Sequence, residues 1–70
     1  MPLEFDFENL FSYHAPKGNQ AQRYETLRSQ AKLFATTIQQ CCPDSADRTD
    51  AIRKVREAVM MANASIAVNE

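Results

Sequence analysis

A chain of 70 residues makes one small domain at most, near the lower limit at which a fold holds without a disulfide, a metal or further copies of itself. A formal net charge of −1 and a pI near 5.7 exclude the broad basic face that DNA or RNA binding needs, though a local cluster of cations can still hold a small anion. One glycine and three prolines argue against disorder and against a turn-rich β fold.

The first 19 residues form a front segment and connector. "MPLEFDFENL" has neither the basic start nor the apolar stretch of a secretory signal, and no apolar run in the chain is long enough to span a bilayer. A cytosolic, reduced protein is expected. "EFDFENLF" alternates apolar and acidic residues, which allows a strand, but a short helical turn around Glu8 to Ser12 is the preferred reading. The connector "FSYHAPKGNQ", residues 11 to 20, holds the only histidine, the only glycine, one of three prolines and one of two tyrosines. A loop of this kind can stack on a planar base and contact an anion. Its plainer use is local, with His14 hydrogen-bonding nearby backbone.

Residues 20 to 42 carry apolar side chains at Tyr24, Leu27, Ala31, Phe34, Ile38 and Cys41, spaced alternately by three and four. That is a narrow helical stripe of coiled-coil type. Asn19 can cap this helix, with Gln22 three residues on as in a capping box. Pro43 ends it and biases Cys42 out of the helical region. Cys41 and Cys42 are neighbours, a poor geometry for a mutual disulfide, and pack as small hydrophobes, one of them in the helical seam. Asp44 or Ser45 can cap a second helix over 46 to 68, whose stripe is Ile52, Val55, Val59, Ala62 and Ile66. A link of about four residues makes the helices antiparallel. The fold class is therefore all-α: a single domain over 1–70 built as an antiparallel αα-hairpin with a short N-terminal segment.

Two helices with one stripe each cannot enclose a core. "AVMMANASIA" is apolar or small almost all the way round, a pattern normally covered on more than one side. A homo-oligomer of hairpins answers both points. Within this run Asn63 reads as a buried, register-fixing amide in preference to a ligand contact.

Catalytic patterns are missing. One glycine rules out a Gly-rich phosphate loop, and His14 with Cys41 and Cys42 has no metal-site spacing. No catalytic residue, metal or cofactor is expected. A binding constellation is present instead. Tyr24, Arg28 and Lys32 stand four apart on one helix face. Tyr13 and Tyr24 can stack on bases, while Lys17, Arg28 and Lys32 can meet phosphates. The alternatives are that Tyr24 packs in the seam and that the two helix cations are solvated.

The segments "YHAPK", "RYETLR", "AK", "CPDS", "AVMMANASIA" and the closing "NE" run in order from about Phe11 to Glu70. In that order and spacing they resemble the hairpin domain of phage cyclic-nucleotide sponges, the anti-CBASS family, a domain shared with a phage anti-Thoeris sponge. The resemblance implies a non-enzymatic protein of the host bacterial cytoplasm. Such a protein holds cyclic di- or trinucleotides between subunits of a compact homohexamer, with no DNA, RNA or membrane partner. It carries over Tyr13, His14 and Lys17 from "YHAPK", and Tyr24, Arg28 and Lys32 from "RYETLR…AK", as nucleotide-binding candidates. Met61 and Val68 depart from the tryptophan and arginine of the family's ending, which weakens the expectation of a separate trinucleotide site. The rival reading is a helical module that docks on a host protein through its apolar second helix.

Overall fold

A computed structural model describes residues 5–70. Three helices follow in chain order: α1 (Phe7–Phe11), α2 (Gln20–Cys41) and α3 (Ala46–Asn69), with no strand among the described residues. α2 and α3 pack side by side as an antiparallel hairpin.

The caps explain the boundaries. Asp6 starts α1 by accepting from the Asn9 N–H at 3.2 Å, so the short helical turn is favoured over the strand. Asn19 stands at the N-cap of α2 but makes no side-chain cap; its oxygen accepts from Arg23 Nε at 3.1 Å instead. Cys42 is extended (φ −112°, ψ 140°), as the following proline requires. Of the two candidates for capping α3 it is Ser45 that does so, taking the Arg48 N–H at 3.1 Å. Asp44 takes the Arg48 guanidinium at 3.1 Å. Arg48 also reaches back to the Cys42 carbonyl, so one side chain laces the turn.

The two stripes meet but do not close over one another. Leu27, Ala31, Phe34 and Ile38 of α2 and Val55, Val59 and Ala62 of α3 line a single open groove of about 750 Å³. No apolar side chain among the described residues is fully buried. Phe34, on the stripe, stays 59% exposed, and Met61 68%. The radius of gyration is 15.3 Å, against about 11 Å for a compact chain of this length. The surface is 5982 Å², against about 4,400 Å² for a compact monomer of this mass. Cys41 does not sit in the seam as its spacing suggests: both cysteines are free and exposed. The stripe has run out by the last turn of α2, where the chain is already leaving for Pro43.

The front segment lies against the far end of α3. Asn9 Nδ2 donates to the Val68 carbonyl at 3.0 Å. Phe5, Phe7 and Phe11 form an exposed aromatic row, with successive ring centroids 6.2 Å apart.

The lone glycine is where the backbone needs it. Gly18 has φ +58°, in the left-handed region, as the connector turns into α2. A Cβ there would meet nothing within 4 Å, so strain in the backbone and not crowding would oppose a side chain. Gly18→Ala is expected to cost about 1–2 kcal/mol. In a thermal melt this should appear as a loss of about 4–8 °C for each kcal/mol. An unchanged melt would mean that the connector does not adopt this turn.

Candidate functional site

Antiparallel pairing sets the start of α2 beside the end of α3. There the helices and connector border an open hollow of about 350 Å³, lined by His14, Tyr24, Arg28, Asn63, Ala64 and Ala67. Tyr24 and Arg28 are one turn apart on α2, so their side chains stand one above the other. Across from them Ala64 and Ala67 have only methyl groups, and that absence of bulk makes the space. The volume lies at the lower end of small-molecule sites, about 300–1,000 Å³.

Each lining group has a distinct capacity. His14 Nε2 donates to the Asn9 carbonyl at 2.6 Å, which fixes the ring and gives neutral imidazole a free acceptor at Nδ1. Because Asn9 also holds the Val68 carbonyl, the imidazole is tied through one residue to the end of α3. His14 thus makes the local backbone bond of the plainer reading and lines the hollow as well. Tyr24 is half-buried and is the aromatic residue of the lining. Arg28 is the only charged residue of the lining and forms no ion pair among the described residues. Its guanidinium is available for two parallel bonds to a phosphate. Asn63 Oδ1 is shielded from solvent and has no hydrogen-bond partner among the described residues. Leaving such an oxygen unpaired costs about 1–3 kcal/mol.

A clasp at the mouth of the hairpin holds the connector in place. Arg23 donates to both carboxylate oxygens of Glu70, through Nη1 at 2.8 Å and through Nη2. Gln20, nearly fully buried, donates to the same carboxylate at 3.2 Å and accepts from the Lys17 N–H at 3.1 Å. Lys17 Nζ donates to the Glu70 main-chain oxygen at 2.8 Å. The hydrogen bonds from Arg23 and then Gln20 pull the Glu70 carboxyl down to about 2, against a smaller opposing effect of burial. The same pair raises Arg23. Both side chains are more than a third exposed, so solvent screens the attraction and its value lies in fixing position.

The structure therefore brings together His14, Tyr24 and Arg28 of the six residues the sequence singled out. Lys17 is committed to the clasp. Tyr13 is 87% exposed and does not line the hollow of its own chain. Lys32 is exposed, one turn beyond Arg28, and also lies outside. Asn63 was not among the six. Its signal was a single amide within a run of small apolar residues, which the sequence alone could not separate from a packing role. Among the described residues no three His, Cys, Asp or Glu side chains gather as metal ligands, and no helix is long and apolar enough to cross a membrane.

Residues 6–67 match the family model of the Acb2/Tad1 hairpin domain. The chain belongs to that family. It is the family of the anti-CBASS and anti-Thoeris sponges, which are binding proteins and not known enzymes. Neither the curated proteins nor the solved structures give a significant match. The matched span includes α2, all of α3 but its last two residues, the connector and every residue lining the hollow.

The clasp makes a pH prediction. Glu70 binds its proton only near pH 2 when folded and near 4.5 when free, so the unfolded chain holds more protons between those values. The stability it contributes is present above about pH 4.5 and is lost as pH falls toward 2. Melts of the wild type and Glu70→Gln should differ at pH 6 and converge by pH 2. Curves that run parallel over this range would show that the carboxylate is not clasped.

Proposed function

We propose that this chain is a phage immune-evasion protein that binds cyclic dinucleotide messengers of host CBASS defence and sequesters them without cleavage. The observation that carries the reading is the hollow itself: an aromatic face at Tyr24, an unpaired cation at Arg28 and a fixed imidazole at His14, in a hairpin of a sponge family. Stacking on Tyr24 is worth ~1–3 kcal/mol per base. A charge-assisted contact from Arg28 to phosphate adds about 1.5–3 kcal/mol. On this reading bound ligand is held and not processed, in keeping with a family of binding proteins that are not known enzymes.

One hollow has room for about half of such a ligand. A cyclic dinucleotide has two bases and two phosphates, and a pair of hollows from two copies matches it part for part. Assembly of copies, as a homohexamer, also covers the open apolar groove and the aromatic row of α1. In that setting Tyr13, exposed and outside its own hollow, closes over a ligand held by another copy. Lys17 and Lys32 contribute positive potential near the site without lining it. Val68 offers no cation for a separate trinucleotide site.

A second reading has an observation of its own. The groove of about 750 Å³ along α2 and α3, with Met60 and Met61 exposed nearby, would suit a host protein helix. Thermal melts with a panel of cyclic di- and trinucleotides separate the two. The sponge reading expects a raised melting temperature by linkage, and intact nucleotide recovered after heat denaturation. An unchanged melt across the panel favours the interaction module, and degraded nucleotide means an enzyme.

Arg28→Ala should weaken cyclic dinucleotide binding by about ten- to a hundredfold in calorimetry. Tyr13→Ala should weaken it by a similar factor with the mass of the assembly unchanged. Loss of assembly in Tyr13→Ala would place that ring in an interface and not over the ligand.

A further inference from the structure

We propose that Asn63 is the base-selecting residue of the hollow and that its carboxamide pairs with the edge of a bound adenine. This rests on the reading of the hollow as a nucleotide site. Asn63 lines the hollow beside Tyr24 and Arg28, and its oxygen is buried without a partner. It does not line the apolar groove on which further copies would pack most extensively. The amide therefore stands at the edge of the space where a base would lie; its oxygen is shielded from solvent in the free chain, so pairing requires the carboxamide to turn into the hollow. Ala64 and Ala67 leave that space open beside it.

The chemistry of the amide points to one base. A carboxamide presents an acceptor beside a donor and is met in full by an edge that offers a donor beside an acceptor. Adenine has such a pairing on both exposed edges, because its amino group is flanked by ring nitrogens on either side. Guanine offers only acceptors on its N7 edge, so it matches the amide in fewer orientations. Stacking on Tyr24 sets the plane of the base and Asn63 then reads its edge. Affinity comes from Tyr24 and Arg28, and base preference from Asn63.

The test is calorimetric titration of wild type, Asn63→Ala and Asn63→Asp with cyclic di-AMP and cyclic di-GMP, with sedimentation to follow assembly. Wild type should favour cyclic di-AMP. Asn63→Ala should lose about ten- to a hundredfold on cyclic di-AMP and little on cyclic di-GMP, at unchanged assembly mass. Asn63→Asp offers acceptors only, which suit the adjacent N–H donors of guanine. The ratio of cyclic di-GMP to cyclic di-AMP affinity should rise at least about tenfold over wild type. Variants that keep the wild-type preference, or an Asn63→Ala that changes assembly but not affinity, would overturn the assignment and leave the nucleotide site standing. Wild-type protein that binds neither ligand nor any other cyclic nucleotide would overturn the site and this assignment together.

Discussion

Two helices in contact along one seam can bury only what lies on that seam, and here the seam is narrow. Alternating spacings of three and four give each helix one file of apolar side chains. The apolar groups off those files, Leu33, Met60 and Met61, are left at the surface, and Phe34 stays largely exposed although it lies on its file. The hydrophobic gain from one seam is small against the entropy of ordering the chain. The polar connections at the two ends matter more than usual for that reason. Arg48 laces the turn at one end, and the Glu70 clasp and the Asn9–Val68 bond close the other. Between them lies a groove that no described residue covers.

The same constraint locates the hollow. Because the helices run antiparallel, the first turns of α2 lie beside the last turns of α3, and the connector must cross that end to enter α2. Its left-handed turn at Gly18 and the anchoring of Gln20 and Lys17 to Glu70 bring His14 over the space between Tyr24 and Ala67. The unusual side chains of the connector therefore serve two purposes. Lys17 and Gly18 build the mouth of the hairpin, and His14 helps to line the hollow behind it.

Much of this was legible in the sequence, for local reasons. Helix boundaries followed from Pro43, Ser45 and the spacing of apolar residues. The short front helix followed less surely, because alternation in "EFDFENLF" also fits a strand, and the Asp6 cap decides it. His14, Tyr24 and Arg28 were legible as a group because helical spacing and chain proximity both put them near the start of α2. Lys17 and Lys32 look equivalent to Arg28 by charge, and only the fold shows that one is held by Glu70 and the other lies outside the hollow of its own chain. The clasp was not legible, since Gln20 and Arg23 stand about fifty residues from Glu70 and neither type announces a partner at that distance. Asn63 was visible as an oddity, but that it lines a hollow depends on the rotation of α3, which periodicity fixes only roughly.

The physical core of the proposal is that a single hairpin is incomplete, and that stability and site both come from packing of copies. The melting temperature, followed by circular dichroism across a hundredfold range of protein concentration without ligand, addresses this directly. A chain stabilised by association should melt higher as concentration rises, by mass action. A melting temperature that holds constant over the whole range, with the 7.9 kDa mass of a single chain throughout, is incompatible with it.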